Sequence, residues 1–432
     1  MIFGQVILFR RLTTAKRKLH LHQYRRIRHR VIKPRWSTST AWNKDAGKSL
    51  RNPRLFLAYK IFMTNSFYNH TMQANIPSYV PQIQGFHSRA DFSTLTNVFG
   101  PSPLVRKALP SLLKDPMNLY PMRNPVRLKE KIASWLTIDP SMITVGNGSD
   151  ELIAIIPQVL LEPGDHCVVQ TPTFFRIIES LHRMKGEVLT VPATDETNFV
   201  LGQRYIESVF AASKRTNARI TWLCSPNNPT GETIELDHIT WLSRRVPGLL
   251  VVDEAYQEFF DPKNNLSATR LVDKHDNIIV TKTFSKAFGL AGIRVGFAIS
   301  SPHLIDALER WRLNFAISSL SLRIAEAALD DISFLQKVHE RMDTERTFLF
   351  TNIDKLPQLK RGGHSKTNVF ILKHTNGNLF DLLLKRGIVT ADFNEMNGLE
   401  HLGFVRITVK TRSENEILLQ ALRKTANGHK KF

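Results

Sequence analysis

Short apolar runs that alternate with helical segments between residues 142 and 300 restrict the possible fold more than any other feature of the sequence. Runs such as Ile220–Leu223 and Leu249–Val252 are apolar at nearly every position, without the alternation expected of a strand with one wet face. Such runs are typical of strands buried on both faces of a sheet, and the intervening helices make those strands mostly parallel. We predict an α/β domain with a mostly parallel, seven-stranded sheet between layers of helices.

The pattern changes after Ser300. Long helical segments occupy residues 302–356, and strands at 368–372 and 404–409 then alternate with helices at 379–386 and 414–425. This order predicts a smaller α+β domain at the carboxyl end. The domain boundaries that we predict are a basic leader at 1–62, an amino-terminal arm forming part of the small domain at 63–115, a large domain at 116–300 and the small domain at 301–432.

The positive charge of the chain is concentrated near its amino terminus. Residues 1–90 hold 17 Lys or Arg and a single acid, Asp45, whereas the net charge of the whole chain is +21. The leader has three interpretations: a mitochondrial transit peptide, an arm that binds nucleic acid or an anionic membrane, or a translated upstream stretch of a chain that starts at Met63 or Met72. We expect a cytoplasmic protein, or a mitochondrial one if the leader is a transit peptide.

Several classes of protein are excluded by composition and spacing. No apolar run approaches the roughly 18 residues that span a bilayer, so we predict no membrane span. The two cysteines, Cys167 and Cys224, both lie in apolar runs and do not form a disulfide framework. No metal site is predicted.

Polar motifs follow the apolar runs, where open α/β sheets bind their ligands. The run at 142–145 ends in the glycine turn 146–150, which is either an anion site ahead of a helix or a plain strand–helix turn. A second motif surrounds Lys286, with Thr283 and Ser285 before it and Arg294 eight positions later. A lysine can form an imine with a carbonyl compound, while hydroxyls and arginine bind phosphate. Pyridoxal 5'-phosphate (PLP) carries both groups; the alternative is a solvated lysine near an unrelated arginine.

Six motifs in one order give the chain a family resemblance. They are NGSDE (147–151), PTFF (172–175), SPNNPTG (225–231), VVDEAY (251–256), TFSKAFGLAGIRVGF (283–297) and VRITVKTRSEN (405–415). Over about residues 85–427 the chain resembles the class I and II aminotransferases, which are PLP enzymes of fold type I. It is similar to the histidinol-phosphate aminotransferase branch and to the related threonine-phosphate decarboxylases.

The resemblance implies three catalytic residues. Lys286 would form a Schiff base with PLP and move the substrate proton. Asp253 would pair with the pyridine nitrogen and keep the ring an electron sink. Tyr256, together with Asn228, would donate to the phenolate oxygen of the ring. Local sequence alone favours a different role for Asn228, that of a turn former before Pro229.

The remaining cofactor contacts are also implied by the resemblance. Phe174 would stack on the ring, although an ordinary core position explains it as well. The phosphate would be held by the backbone amides around Ser149 and Asp150, the hydroxyls of Thr283 and Ser285, and the guanidinium of Arg294. Tyr120 would reach the phosphate bound by a second copy, which implies a homodimer with shared sites; its local alternative is a packed turn residue.

Substrate contacts are implied at two positions. Arg406 would grip the α-carboxylate of the substrate as a bidentate pair, and Asn97 is the remaining asparagine of a turn that reads Leu95-Thr96-Asn97-Val98 here. The chain departs from its relatives at Ala391, where they have an arginine. It departs again at Lys410, where the aminotransferases often have glycine and the decarboxylases have arginine. These departures fall where substrate recognition is expected.

The sequence therefore supports three functional hypotheses. The first is an aminotransferase that moves an amino group from an amino acid or a phosphorylated amino compound to a 2-oxo acid through Lys286. The second is a PLP-dependent decarboxylase of an O-phosphorylated amino acid. The third, from another class, is an aminotransferase-like ligand sensor whose basic arm binds nucleic acid.

Overall fold

The structure is a computed structural model that describes residues 88–114 and 118–425. The predicted leader, and about half of the arm that follows it, lie outside these described residues, so the interpretations of the leader and of the compartment stay predictions. Among the helices of the described part, none is both long enough and apolar enough to cross a membrane.

The order of strands and helices follows the predicted alternation. The strands are β1 (Ala90–Asp91), β2 (Ile143–Gly146), β3 (His166–Thr171), β4 (Glu187–Pro192), β5 (Ile220–Cys224), β6 (Leu249–Asp253), β7 (Ile278–Thr283), β8 (Gly296–Ile299), β9 (Leu359–Gly362), β10 (Val369–His374), β11 (Ile388–Val389), β12 (Ala391–Asp392) and β13 (Val405–Thr408). The helices are α1 (Pro103–Leu112), α2 (Val126–Leu136), α3 (Ser149–Leu160), α4 (Phe175–Arg183), α5 (Gln203–Thr216), α6 (Leu236–Ser243), α7 (Gln257–Phe260), α8 (Pro302–Trp311), α9 (Ser319–Leu329), α10 (Phe334–Ile353), α11 (Leu379–Leu384) and α12 (Arg412–Arg423).

The large sheet confirms the predicted fold class. Its seven strands lie in the order β2-β8-β7-β6-β5-β3-β4. Six of them run in one direction, and β8 runs in the opposite direction. Every residue of β5 and of β7 is buried, because helices cover both faces of the sheet. Hydrophobic clusters on the two faces supply the core.

The register of this sheet brings the polar motifs to one edge. Cys224 at the end of β5 pairs with Asp253 at the end of β6, and Asp253 pairs with Thr281 of β7. Because β8 is antiparallel, its first residue, Gly296, lies beside both Thr283 and Gly146. The turns that follow β2, β5, β6 and β7 therefore meet at the carboxyl ends of the parallel strands, as expected for a ligand site.

The carboxyl-terminal part contains a four-stranded antiparallel sheet in the order β12-β13-β10-β9. A separate two-stranded pair joins β1 to β11, in parallel, so residues 90–91 are held by the carboxyl-terminal part of the chain. The short strands β1, β9, β11 and β12 were not expected from the sequence, because runs such as Leu-Lys-Arg-Gly have no strand periodicity. The exact domain boundaries stay a prediction.

One strand of the large sheet is longer than predicted. The apolar run ends at Val280, but β7 continues through Thr281, Lys282 and Thr283. Lys282 is 1% exposed, and it is accommodated because two buried carboxylates lie beside its ammonium group.

Candidate active site

A cavity of about 400 Å³ lies at the edge where the polar turns meet. Ten of the predicted site residues line it: Ser149, Asp150, Phe174, Asn228, Asp253, Tyr256, Thr283, Ser285, Lys286 and Arg294. A larger groove, of about 1150 Å³, runs along α2 and residues 263–274, but no predicted site residue borders it. The smaller cavity is therefore the candidate active site.

The amine of Lys286 lies inside this cavity. Its Nζ donates to the carbonyl oxygen of Leu95 at 3.2 Å and lies 5.3 Å from the centre of the Tyr256 ring. Burial, followed by the positive charge of Arg406, lowers the pKa of the amine to about 7. A large share of Lys286 is therefore neutral near pH 7, which is the form that attacks a carbonyl carbon.

Asp253 supplies a buried carboxylate at the end of β6. Its Oδ1 accepts hydrogen bonds from the backbone N–H of Ala255 and from the hydroxyl of Thr281, each at 3.1 Å. Burial raises the pKa of Asp253 to about 6, and those two hydrogen bonds oppose the rise. The side chain is therefore mostly ionised above pH 6. A positively charged ring nitrogen in the cavity would stabilise the ionised form further.

Tyr256 carries a hydrogen-bond donor that lacks an acceptor. Its hydroxyl oxygen is buried, and no residue in the described part of the chain bonds to it. Burial also raises the pKa of Tyr256, so the hydroxyl keeps its proton. A buried hydroxyl without a partner is unfavourable by about 1–3 kcal/mol, and an acceptor oxygen on a bound ligand would remove that cost.

Arg406, on the carboxyl-terminal sheet, lies beside the same cavity. Its Nη1 donates to Oδ1 of Asn228 at 2.9 Å, and its Nη2 donates to the carbonyl oxygen of Ser93 at 3.0 Å. The guanidinium also lies 5.1 Å from the centre of the Phe393 ring. These contacts hold the guanidinium beside Asn228, which lines the cavity.

The start of α3, Ser285 and Arg294 form an anion cradle in the lining of the cavity. The first N–H groups of a helix have no partner within the helix. Helix α3 begins at Ser149, and no side chain of its N-cap residue, Gly148, bonds to those groups. The Nη1 of Arg294 donates to Oγ of Ser285 at 3.2 Å. A methyl group on Gly148, where φ is +74°, would lie 2.4 Å from Nη2 of Arg294, so a larger residue would displace the guanidinium. Helix N–H groups, a hydroxyl and a guanidinium together favour a phosphate.

The cavity therefore presents four groups that fit one cofactor. A neutral amine suits an aldehyde, and a buried carboxylate suits a pyridinium nitrogen. An unpaired hydroxyl donor suits a phenolate oxygen, and the anion cradle suits a phosphate. PLP carries all four of these groups. The fold and the cavity define a PLP-dependent enzyme.

Comparison with known proteins narrows this class to one family. The family model "Aminotransferase class I and II" matches residues 90–422. The histidinol-phosphate aminotransferase of Geobacillus thermodenitrificans is 34% identical over 349 residues, which cover 79% of this chain and 92% of that protein. The chain belongs to the class I and II aminotransferases, and it is a PLP-dependent aminotransferase.

Solved structures agree with the fold. The histidinol-phosphate aminotransferase of Sinorhizobium meliloti in complex with pyridoxal-5'-phosphate superposes with a TM-score of 0.73 at 25% identity, covering 83% of this chain and 98% of that one. The L-threonine-O-3-phosphate decarboxylase of Porphyromonas gingivalis gives a TM-score of 0.68 at 20% identity, covering 78% and 99%. The second likeness supports the shared fold alone.

Besides Arg406, two predicted residues lie outside the cavity lining: Asn97 and Tyr120. The side-chain amide of Asn97 donates to the carbonyl oxygen of Ala287 at 2.8 Å, and its oxygen accepts from the N–H of Phe99 at 2.9 Å. Tyr120 is 84% exposed and lies against Phe315, with ring centres 5.2 Å apart. The substrate contact of Asn97 and the cross-subunit role of Tyr120 stay predictions.

Three contacts in the site were not found by sequence reasoning. Thr281 bonds to Asp253, and the carbonyl oxygen of Leu95 accepts from Lys286. Arg176 pairs with Asp150, with Nε and Oδ1 3.0 Å apart. Because Arg176 occupies that carboxylate, the N–H of Asp150 is the group left to face an anion. The alternation Thr281, Thr283 along β7 was the available signal for Thr281.

Proposed function

We propose that this aminotransferase acts on a phosphorylated amino compound of the histidinol-phosphate type in amino-acid biosynthesis, with a 2-oxo acid as the second substrate. The observation that carries the proposal is the 34% identity over 349 residues to a histidinol-phosphate aminotransferase. A second relative of that name, from Caldicellulosiruptor saccharolyticus, is 32% identical over 338 residues. Arg406 beside the cavity supports the presence of a carboxylate on at least one substrate.

The residues of the cavity divide the binding of PLP among them. Asp253 would hold the ring nitrogen, and Tyr256 and Asn228 would face the phenolate oxygen. Phe174 would cover one face of the ring. The phosphate would be held by the residues of the anion cradle: the N–H groups of Ser149 and Asp150, the hydroxyls of Thr283 and Ser285, and the guanidinium of Arg294.

The same geometry supports a role for Lys286 in the proton transfer. Bound PLP supplies an electron sink for the α-carbon of the amino substrate. Lys286, whose pKa is about 7, can remove a proton from that carbon and return it at another atom, because both of its protonation states are populated near neutral pH. Arg406 would orient the 2-oxo acid, and the amino acid formed from it, by the α-carboxylate. The residues around Leu95 and Thr96 would exclude water from the mouth of the cavity.

Two residues near Arg406 distinguish this chain from the relatives that it resembles. Ala391 pairs across β12 and β13 with Arg406 and is fully buried, so its side chain offers no charge to a substrate phosphate. Lys410 follows β13, is 9% exposed and lies 3.8 Å from a carboxylate oxygen of Glu414. Its ammonium favours the decarboxylase of an O-phosphorylated amino acid as the second candidate function.

An absorbance titration of the protein loaded with PLP tests the proposed function. We expect histidinol phosphate to replace the visible absorption by that of the pyridoxamine form, and 2-oxoglutarate to restore it with glutamate as product. O-phosphothreonine serves as the comparison substrate. Release of carbon dioxide from it, without consumption of a 2-oxo acid, would support the second candidate and reject the first. Binding of either compound without turnover would favour the sensor hypothesis.

We propose further that the protein is a homodimer. Six large apolar side chains are exposed on two neighbouring segments: Leu119, Tyr120, Met122, Trp311, Leu313 and Phe315. The guanidinium of Arg312 bonds to the carbonyl oxygen of Arg123, and Tyr120 lies against Phe315, so the segments form one patch. Contiguous apolar patches on a soluble protein are typical of protein interfaces. A second copy that bound to this patch would support the cross-subunit role predicted for Tyr120.

Sedimentation measures the oligomeric state directly. We expect a dimer for the wild type and a shift toward monomer for Leu313→Glu, because a charge would be buried in the proposed interface. Leu402→Glu is the matched control, since Leu402 is also exposed but lies outside the patch. A monomeric wild type at micromolar concentration would contradict the dimer.

A further inference from the structure

A buried ion cluster lies on the reverse face of β7, away from the cavity. The ammonium of Lys282 is 3.0 Å from Oε2 of Glu254 and 2.8 Å from Oε1 of Glu258, and it donates to Oδ1 of Asn264 at 2.8 Å. The side chains of the lysine and of both glutamates are each 1% exposed. Two ionised carboxylates against one ammonium would leave a buried negative charge, and burial raises the pKa of Glu258 against the opposing charge of Lys282.

The two glutamates differ in their dependence on Lys282. Glu254 also accepts from the hydroxyl of Ser267 at 2.5 Å and from the N–H of Ala268 at 2.6 Å. For Glu258, Lys282 is the cation that the described residues provide. Removing a single partner from a buried ion group is strongly destabilising, because it leaves a buried charge without compensation. The ammonium of Lys282 therefore fixes the position of Glu258 more than that of Glu254.

Each member of the cluster is tied by the backbone to one group of the active site. Glu254 follows Asp253, the carboxylate at the end of β6. Glu258 lies in α7, two residues after Tyr256. Lys282 lies on β7 with its side chain opposite to those of Thr281 and Thr283, and the same strand leads into the turn that carries Lys286. One ammonium group thus joins the three segments that carry the three proposed catalytic residues.

We propose that Lys282 is a positioning residue of the transamination reaction, which sets the relative placement of Asp253, Tyr256 and Lys286 from the reverse face of the sheet. The inference rests on the proposed roles of those three residues. A displacement of about 1 Å at a reacting group can cost on the order of 100-fold in rate. A loose cluster would therefore lower the rate without removing any group that touches the cofactor.

The test compares Lys282→Met with the wild type, both loaded with PLP. We expect kcat to fall by about 10-fold to 100-fold while KM changes much less, because Arg406 and the anion cradle are untouched. The visible absorption of PLP joined to Lys286 should also change with pH at a higher midpoint. The hydroxyl of Tyr256 would donate to the phenolate oxygen of PLP, which favours the deprotonated form of PLP joined to Lys286. Displacement of that hydroxyl would weaken the hydrogen bond and so raise the midpoint.

Three further variants separate positioning from general stability. Lys282→Arg keeps the positive charge and should recover most of kcat. Lys129→Met removes another buried lysine, paired with Glu309 at 2.8 Å, so it should lower the melting temperature but leave kcat and the absorption midpoint unchanged. The double variant Lys282→Met with Glu258→Gln avoids two adjacent carboxylates without a cation. It should therefore fold even if the single variant does not, and it should still show the low kcat.

The outcomes distinguish this inference from the proposed function. If borohydride fixes PLP to Lys286 of the wild type but the folded double variant has the wild-type kcat and absorption midpoint, the positioning role is wrong and the proposed function stands. If borohydride fixes no PLP to Lys286 of the wild type, the role of Lys286 and the inference built on it are both rejected.

Discussion

Replacement of Lys286 by alanine is expected to lower kcat by at least about 10⁴-fold, because the substitution removes both the covalent attachment of the cofactor and the proton-transferring amine. Lys286 has its Nζ inside the cavity and a pKa of about 7, and no second lysine lines that cavity among the described residues. The measurement is the rate of amino transfer by protein saturated with PLP. Mass spectrometry after borohydride reduction should find PLP attached to the wild type and not to the variant.

Lys274→Ala provides the matched control for this prediction. Lys274 borders the larger groove rather than the cavity, so its loss should leave both the rate and the borohydride adduct unchanged. A Lys286→Ala variant that retained a tenth of the wild-type kcat would show that another group moves the proton. An adduct at a different lysine would place the cofactor elsewhere in the protein.

The second large effect is expected for Asp253→Asn, which removes a charge and keeps the shape of the side chain. The amide oxygen of asparagine can still accept from Ala255 and Thr281, so the turn after β6 should fold as before. The variant loses the negative charge that holds a proton on the ring nitrogen of PLP. Removal of one such electrostatic contact costs about 10²- to 10³-fold in kcat, and rate measurements at saturating PLP check this prediction.

Asp195→Asn is the control for a lost carboxylate charge. Asp195 bonds to Lys360 and Lys373 at 2.8 and 2.7 Å, outside the cavity, so its replacement should affect stability and leave kcat unchanged. Wild-type activity in Asp253→Asn would mean that the ring nitrogen needs no carboxylate. Loss of the folded state in Asp253→Asn, but not in Asp195→Asn, would instead assign Asp253 a structural role.

The sequence predicted the fold and the cavity because both depend on patterns that are local in the chain. Apolar runs between helices predict parallel strands, and the carboxyl ends of parallel strands share one edge. This reasoning brought Asp253 and Lys286 to one place although they lie on different strands. The family resemblance assigned Arg406 and Asn228 to one site, and the structure joins these two side chains, 178 positions apart, by a hydrogen bond.

Direction and pairing of individual side chains were not predictable in the same way. The substrate contact of Asn97 stays a prediction, but the hydrogen bonds of its amide to backbone groups of Ala287 and Phe99 were not predictable from the sequence. Lys282 lies two residues after an apolar run and would be expected in solvent, but it is buried beside the carboxylates of Glu254, which follows β6, and Glu258 of α7. These contacts depend on partners that are distant in the sequence, so the residues next to Asn97 and Lys282 do not predict them.

The hydrogen bond between Arg406 and Ser93 joins residues 313 positions apart, and this separation has a consequence for protein synthesis. The anion cradle and Lys286 lie within residues 146–296, whereas the strand that carries Arg406 ends at Thr408. At about 5–20 residues per second, that strand is translated on the order of ten seconds after β8. A nascent chain therefore completes the segment proposed to hold the phosphate of PLP while the arginine proposed to bind the substrate carboxylate has yet to be made.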